Sequence, residues 1–286
     1  MRKVADKIME IVFLVLACVS IVAVVIVCYF MFSRGIPAIR QIGLGEFITG
    51  KIWKPTYDYF GILPMIVGSL MVTAGALVIG VPVGIFMAVF MAVFMARFCP
   101  RIIYKIANPI VNLLAGIPSI IYGFFGMMIV VPFIREHIGG KGYSILSASI
   151  ILGIMILPTI ISVSEAAIKA VPESYYEGAL ALGATKEISV FKTVLPAAKS
   201  GIMAAVTLGI GRAIGETMAV QMVVGNQPRL PHSILDGVRT LTTNIVTEMG
   251  YAADLHREAL IATGVVLFVF ILIINLLLAF IKRRKD

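Results

Sequence analysis

The sequence predicts an all-α polytopic membrane protein with about six transmembrane helices, because of its composition and its long apolar runs. The mean hydropathy is +1.02, with 60% hydrophobic and 14% charged residues. In soluble domains about a quarter of the residues are charged. Several apolar runs reach the roughly 20 residues with which a helix crosses a bilayer. These runs exclude the soluble domains that a chain of 286 residues could otherwise form.

The net charge of +9 is distributed as a membrane topology requires. Fourteen of the 24 lysines and arginines fall in segments predicted to be cytoplasmic, nine in external segments, and Arg212 in an apolar run. This bias predicts that both termini are cytoplasmic. Basic and aromatic residues do not alternate as on a nucleic-acid-binding surface. The expected surroundings are therefore a lipid membrane, and nucleic acid is not expected as a partner.

The chain shows no pattern typical of a catalytic or cofactor site. It lacks the Gly-x4-Gly-Lys-Ser/Thr phosphate loop, so we do not expect it to hydrolyse ATP. The cysteines are expected to be structural and the histidines to be solvated in external loops. They are Cys18, Cys28 and Cys99, and His137, His232 and His256. We expect a protein that is not an enzyme and that holds no metal or cofactor.

Residues 1–60 are predicted to form an N-terminal helix and an external loop. The apolar run 8–32 follows three basic residues and is too long for a signal-peptide core, which predicts an uncleaved membrane helix. Residues 33–59 contain several glycines and prolines and are predicted to be an external loop that can include a short interfacial helix. Its aromatic residues are expected at the level of the lipid headgroups. They are Trp53, Tyr57 and Tyr59.

The second apolar run, 61–96, begins the predicted core, residues 61–286. Small residues at every fourth position of this run let two helix backbones approach closely. They are Ala76, Gly80, Gly84, Ala88, Ala92 and Ala96. Since a step of four drifts around an α-helix, helix packing is the expected role, ahead of a pore lining. The cytoplasmic turn that follows is marked by Arg97, Arg101 and Lys105.

The third apolar run, 108–133, contains a predicted helix break at Gly116, Pro118 and Ser119. A proline inside a helix removes a backbone donor and clashes with the preceding turn. Broken helices within membranes line a cavity or pack against protein. Two roles for this kink therefore stay open: it lines the substrate pathway, or it serves helix packing. A fourth span is predicted over 144–168.

The polar segment 171–198 is predicted to be a cytoplasmic elbow of two short helices. Glu173 lies in the first turn of one helix, where the helix dipole favours a negative charge. Gly183 suits the left-handed residue after a helix end, and Thr185 can cap the second helix. Pro196 ends that helix or opens the next one.

The elbow resembles the EAA loop of ABC-importer permeases, whose pattern is EAA-x3-G-x9-I-x-LP. Glu177, Ala179, Gly183, Leu195 and Pro196 match it, whereas Gly178 and Thr193 depart from it. In this family the loop docks into a cleft of a separate ATPase subunit. The resemblance therefore implies that ATPase coupling falls on Glu177, Gly178, Ala179, Gly183, Leu195 and Pro196. The alternative is an ordinary amphipathic loop.

The fifth apolar run, 201–225, places two charges inside the predicted membrane. Arg212 lies near its centre, where a lone arginine costs about 3 kcal/mol on insertion scales. Glu216 follows four residues later, so the two side chains can pair on a continuous helix. Gly209, Gly211 and Gly215 surround them and leave room. Either a passing oxyanion displaces Glu216 from the planar guanidinium, or the two charges form a structural ion pair.

The remaining chain is predicted to hold one external helix and one further span. Within the polar stretch 226–255, apolar residues at helical spacing from Ile234 to Met249 predict a helix lying along the membrane surface. A sixth span is predicted over 258–281. The basic residues 282–285 are expected to anchor its cytoplasmic end.

The sequence from about residue 60 onwards is also similar to the PstC-type permease subunit of phosphate importers. The similarity rests on Gly211-Arg-Ala-Ile-Gly-Glu-Thr-Met-Ala219, Ala115-Gly-Ile-Pro-Ser-Ile-Ile-Tyr-Gly123 and His256-Arg-Glu-Ala-Leu260. PstA-type permeases carry Ala-Pro where this chain has Met218-Ala219. The similarity implies the ABC importer type I permease fold, in a prokaryotic inner or plasma membrane. It also implies that Arg212 and Glu216 act in phosphate passage.

The same resemblance implies the partners. They are a homologous PstA-type permease, a dimer of PstB-type ATPase subunits that bind ATP and Mg²⁺, and an extracytoplasmic PstS-type phosphate-binding protein. ATP binding is expected to pull on the elbow and to open the site near Arg212 to the other side. Two alternatives stay open: a permease for sulfate or molybdate, and an ion-coupled secondary transporter with charges at mid-membrane.

Overall fold

The computed structural model describes residues 2–95 and 101–283, and these residues are almost entirely helical. The helices are α1 Arg2–Ile42, α2 Leu44–Thr49, α3 Leu63–Val89, α4 Arg101–Gly116, α5 Ser119–Phe125, α6 Val131–His137, α7 Ile145–Lys169, α8 Glu173–Ala181, α9 Lys186–Ser189, α10 Leu195–Ala197, α11 Lys199–Gly215, α12 Met218–Val223, α13 Leu241–Glu248 and α14 Asp254–Arg283. Strands β1 Trp53–Lys54 and β2 Tyr59–Phe60 form an antiparallel hairpin. The predictions for Ala96, Arg97, Cys99, Arg284 and Lys285 fall outside the described residues.

Short π-helical segments continue three of these helices. Phe90–Met95 extends α3, Gly126–Val130 joins α5 to α6, and Val190–Val194 joins α9 to α10. Such segments are uncommon in proteins and occur often at functional sites. One of the three lies within the predicted elbow.

Five helices of the described residues are long and apolar enough to cross a membrane. They are Met9–Ile42, Leu63–Val93, Ser119–His137, Ile145–Lys169 and Asp254–Leu277. The pair Lys186–Ala197 and Lys199–Gly215 is bent by 69° and gives a sixth span when it is counted as one. The all-α membrane fold is confirmed.

The loop predicted over 33–59 is wrong in its first part, because α1 continues to Ile42. Gly35 serves helix packing rather than a turn. A Cβ at this position would lie 2.7 Å from Cγ2 of Val265 and 3.1 Å from Cα of Ala262, so the glycine lets α1 approach α14.

The amphipathic helix predicted between Ile234 and Met249 is also wrong in its extent and position. Only Leu241–Glu248 is helical, and its first turn is buried. The helix begins here because Thr240 and Thr243 form a reciprocal capping box. This element therefore lies within the protein, while the residues before it form irregular backbone.

The core lies along the contact of α3 with α7, where the row of small residues packs. A Cβ at Gly80 would lie 2.8 Å from Cδ1 of Ile156 and 2.9 Å from the carbonyl oxygen of Gly153. One at Gly84 would lie 2.7 Å from Cγ2 of Ile160. The role predicted for this row, close helix packing, is confirmed for its described members.

The first 60 residues pack against the rest of the chain through a second apolar cluster. Phe47, Trp53 and Phe60 are buried in it together with Met65 at the start of α3 and Leu260 of α14. Trp53 was expected at the headgroup level, but it is only 4% exposed because the hairpin folds it inward.

Candidate functional site

The span that holds Arg212 is broken directly after it. Helix α11 ends at Gly215, Glu216 has extended backbone angles, and α12 starts at Met218. Oε1 of Glu216 accepts a hydrogen bond of 3.1 Å from the backbone N–H of Ala219. The carboxylate thus satisfies one of the free N–H groups at the start of α12, where the helix dipole favours a negative charge.

The predicted ion pair between Arg212 and Glu216 is therefore wrong. No ion pair within 4.0 Å joins the two side chains, both of which the structure describes. A four-residue spacing brings side chains together only on a continuous helix. Here the helix ends between the two residues, and Glu216 turns to the backbone of α12.

Arg212 instead donates to Thr159 of α7, with 3.1 Å between Nη1 and Oγ1. A guanidinium has five N–H donors, and this is its one hydrogen bond to the described residues. The open space that the glycines beside Arg212 predict is present at Gly211 and Gly215, where an added Cβ would meet nothing within 4 Å. At Gly209 it is absent, because Ile160 lies 3.1 Å from the position of a Cβ. The half-buried cation therefore has free donors and open space on one side.

Sequence reasoning did not identify Thr159. The available signal was a hydroxyl beside Pro158 inside an apolar run, which is weak because threonine is common in membrane helices. Only the packing of α11 against α7 shows that this hydroxyl faces Arg212.

The second predicted break, at Gly116–Ser119, is confirmed. Helix α4 ends at Gly116, Pro118 precedes the first residue of α5, and a Cβ at Gly116 would meet nothing within 4 Å. The Tyr122 hydroxyl donates a hydrogen bond of 2.8 Å to the carbonyl oxygen of Leu114. This bond satisfies one carbonyl that the proline leaves without a helical partner.

The two breaks lie next to each other, because α5 packs on α12. A Cβ at Gly123 would lie 2.7 Å from Sδ of Met222 and 3.1 Å from Cα of Ala219. The structure thus brings together, on neighbouring broken spans, the two groups of residues that were predicted separately from the sequence.

The elbow has the predicted geometry. Gly183 follows α8 with a left-handed φ of 86°, and Oγ1 of Thr185 accepts a hydrogen bond of 3.4 Å from the backbone N–H of Ile188. Hydrogen bonds from the backbone N–H of Glu187 itself and from Thr185 hold the pKa of the Glu187 carboxyl below its ordinary value. Pro196 lies one residue before the end of the continuous helical run Lys186–Ala197, so of the two predicted roles it has the first, ending that helix before the bend of 69° into α11.

One face of the elbow is packed and the other is free. Tyr176, Val190 and Val194 are buried against the end of α3, in a cluster with Ala88 and Val89. On the free face Glu177 and Gly178 are exposed, and the side chain of Leu182 is 91% exposed. The tip of the elbow thus presents one large apolar residue to the surroundings.

A buried polar cluster at the opposite end of the spans was not predicted. Glu248 of α13 accepts hydrogen bonds of 2.8 Å from Nε1 of Trp53 and from Nε2 of His256, and it forms an ion pair with Arg239. His256 is therefore not solvated, contrary to the prediction, whereas His137 and His232 are exposed. Local patterns could not reveal the contact with Trp53, which is 195 residues away in sequence.

Burial acts to raise the pKa of the Glu248 carboxyl. The hydrogen bonds from Trp53, His256 and Arg239 outweigh it, so the pKa lies below its ordinary value of 4.5. The group is therefore an anion at neutral pH, held by three donors from separate segments of the chain.

Residues 80–286 match the family described as "Binding-protein-dependent transport system inner membrane component". The chain is 39% identical over 276 residues to the probable ABC transporter permease protein YqgH of Bacillus subtilis, covering 94% of this chain and 88% of the relative. It is 32% identical to the phosphate transport system permease protein PstC of Xylella fastidiosa, covering 93% of this chain and 88% of the relative. It is 31% identical to the probable phosphate transport system permease protein PstC of Methanocaldococcus jannaschii, covering 100% of this chain and 97% of the relative.

Solved structures of transporters share the fold. A bacterial alginate ABC transporter matches with a TM-score of 0.60 at 18% identity, covering 94% of both chains. The MetNI methionine ABC transporter matches with a TM-score of 0.59 at 22% identity, covering 82% of this chain and 100% of the other. The chain therefore belongs to the family of binding-protein-dependent transport system inner membrane components and is a multi-pass membrane subunit of a transporter.

Proposed function

We propose that this chain is the PstC-type permease subunit of an ATP-driven phosphate importer and forms half of its translocation pathway. One observation carries the choice of an anion as cargo: Arg212 is half-buried in a membrane span, with free donors and open space beside it. The relatives named as phosphate permeases, which align over most of the chain, support phosphate in particular.

The binding step follows from the geometry of Arg212. Thr159 holds one N–H of the guanidinium, which leaves the others free to donate two parallel hydrogen bonds to a phosphate. Glu216 does not compete, since its carboxylate caps α12. Phosphate therefore meets a cation that is already oriented and that forms no ion pair with a carboxylate of the described residues. In this proposal Gly116, Pro118 and Ser119 line the same pathway across the adjacent break.

The elbow is proposed as the docking site of a separate ATPase subunit. The coupling residues are Glu177, Gly178, Ala179, Gly183, Leu195 and Pro196. Its exposed tip supports docking, and its packed face supports transmission to α3 and directly into α11. In this arrangement the elbow and both termini are cytoplasmic. ATP and Mg²⁺ bind to the ATPase, and this chain itself catalyses no reaction.

The partners in the proposed complex are a PstA-type permease, two PstB-type ATPase subunits and an extracytoplasmic PstS-type phosphate-binding protein. Membership of a family whose description names binding-protein-dependent transport supports a binding protein as a partner. The second permease would supply the other half of the pathway around the two broken spans.

The test is uptake of radiolabelled phosphate by cells that carry Arg212→Gln, with equal amounts of protein in the membrane. Loss of two charge-assisted hydrogen bonds of about 1.5 kcal/mol each is expected to lower the apparent affinity about a hundredfold. The exposed Arg229 provides the matched control, and Arg229→Gln is expected to leave uptake unchanged.

Three outcomes would contradict the proposal. An apparent affinity for phosphate equal to that of the wild type in Arg212→Gln would show that Arg212 does not bind the anion. Inhibition of phosphate uptake by equimolar sulfate or molybdate would indicate another oxyanion as the cargo. Uptake into proteoliposomes that contain an ion gradient and no ATPase would establish a secondary transporter.

A further inference from the structure

A charged cavity lies between α1 and α14, at the opposite end of the spans from the elbow. Its volume is about 320 Å³, within the roughly 300–1,000 Å³ of small-molecule sites. It is lined by Phe30, Arg34, Asp254, Arg257, Glu258 and Ile261. None of these residues belongs to the anion site at Arg212 or to the elbow.

The charges around this cavity are balanced but incompletely paired. Two guanidinium groups face two carboxylates, and one long contact, 3.9 Å from Nη1 of Arg34 to Oε1 of Glu258, joins them. Among the described residues, Arg257 and Asp254 have no ion-pair partner within 4.0 Å. Two cations and two anions with free hydrogen-bonding capacity fit a ligand that itself carries one charge of each sign.

The position of the cavity is that of a lipid headgroup. Arg34 follows the apolar run 8–32 of α1, and Asp254 begins the span Asp254–Leu277. The apolar edge of the cavity is formed by Phe30 and Ile261, and Phe30 is 53% exposed. Beyond this edge both helices present exposed apolar side chains, such as those of Ile26 on α1 and Val269 on α14. A ligand with acyl chains can therefore continue along the helices, which a free ion cannot.

We infer that this cavity binds the headgroup of a zwitterionic phospholipid with a primary ammonium group, of the phosphatidylethanolamine class. The guanidinium groups of Arg34 and Arg257 bind the phosphodiester, and their planar forks suit its two free oxygens. The carboxylates of Asp254 and Glu258 accept hydrogen bonds from the ammonium group, which has three donors. The acyl chains lie along α1 and α14. A bound lipid then bridges the two helices beside the loose contact of Arg34 with Glu258.

The first test needs no variant. The full chain, purified in detergent, is titrated with phosphatidylethanolamine, with phosphatidylglycerol of the same acyl chains, and with inorganic phosphate, and adducts are counted by native mass spectrometry. Phosphatidylethanolamine is expected to bind about tenfold more tightly than phosphatidylglycerol, because the latter offers no cation to the two carboxylates. Equal binding of the two lipids would overturn the proposal. Displacement of the lipid by millimolar inorganic phosphate would do so too, since it would indicate a site for free anions.

Two double variants test which side chains bind the phosphodiester and which bind the ammonium group of the lipid. Arg34→Gln with Arg257→Gln is expected to weaken binding of both lipids about tenfold. Asp254→Asn with Glu258→Gln is expected to abolish the preference for phosphatidylethanolamine while phosphatidylglycerol still binds. Arg40→Gln is the control, since Arg40 is exposed on the same helix and does not line the cavity. A preference that survives removal of both carboxylates would contradict the assignment.

Discussion

At the residue scale, the two charges of the fifth span act on different partners. Arg212 is oriented by a hydroxyl of α7, and Glu216 is held by a backbone N–H of α12. Each charged side chain has its own hydrogen-bond partner, so neither needs the other to offset the cost of its partial burial. The separation matters for transport, because a cation already bound to a carboxylate would have to lose that partner before it could bind an anion.

This separation predicts an unequal effect of two substitutions at Glu216. Glu216→Gln keeps an oxygen that accepts the hydrogen bond from Ala219, so phosphate uptake is expected to stay within about twofold of the wild type. Glu216→Ala removes this acceptor, which is expected to lower the free energy of unfolding by about 1 kcal/mol. Uptake and thermal unfolding in detergent are the measurements. If Glu216→Gln abolished uptake as Arg212→Gln does, a direct role of the negative charge would be established instead.

Thr159 is predicted to position Arg212. Thr159→Val keeps the shape of the side chain and removes the acceptor, so a loss of about 1 kcal/mol is expected, or about a fivefold rise in the KM for phosphate. Thr159→Ser restores the hydroxyl and is expected to restore the KM. A fall in the maximal rate at unchanged KM, in both variants, would contradict a positioning role.

At the scale of elements, the elbow depends on one left-handed residue. Gly183 has a φ of 86° and no neighbour within 4 Å of an added Cβ, so the cost of Gly183→Ala is conformational and amounts to about 1 kcal/mol. Gly45→Ala is the matched control, since this exposed glycine lies within α2, outside the elbow, has no positive φ and also has open space. We expect Gly183→Ala, and not Gly45→Ala, to reduce the uptake driven by each ATP hydrolysed. The measurement is the ratio of phosphate transported to ATP hydrolysed in proteoliposomes that contain the complex.

The elbow could be predicted from the sequence because its signals are local. Gly183, Thr185 and Pro196 each fix the backbone around themselves. The break after Gly215 could not, since part of what holds it is tertiary: the Thr242 hydroxyl donates a hydrogen bond of 3.1 Å to the carbonyl oxygen of Glu216. A spacing rule that assumes a continuous helix therefore predicted an ion pair where the chain has a hinge.

At the scale of the whole molecule, the cluster around Glu248 ties the N-terminal segment to the last span. Trp53 comes from the hairpin after α1 and α2, Glu248 from α13, and His256 from the first turns of α14. Arg239 also donates to the carbonyl oxygen of Asn226, which follows the broken fifth span. The cluster therefore connects the periphery of the molecule with the segment that follows the broken span of Arg212.

Replacement of Glu248 is predicted to loosen this whole end of the protein at neutral pH. Glu248→Gln leaves the buried guanidinium of Arg239 without its counter-charge, which is expected to cost about 3 kcal/mol and to lower the Tm. Glu46→Gln is the control, because Glu46 is exposed on α2. A Tm that fell equally in both variants would contradict a specific role of the cluster.

The pH dependence of the same variant follows from the lowered pKa of Glu248. The folded-state pKa lies below the ordinary value of 4.5, so the carboxylate stabilises the fold above pH 4.5 and this contribution is lost as the pH falls through the folded-state pKa. The difference in Tm between wild type and Glu248→Gln is therefore expected to be present at pH 5 as it is at pH 7. Below pH 4.5 it should shrink, since protonation then removes the charge from the wild type as well. A difference that persisted unchanged at pH 3.5, in a protein still folded, would mean that the shape of the carboxylate and not its charge holds the cluster together.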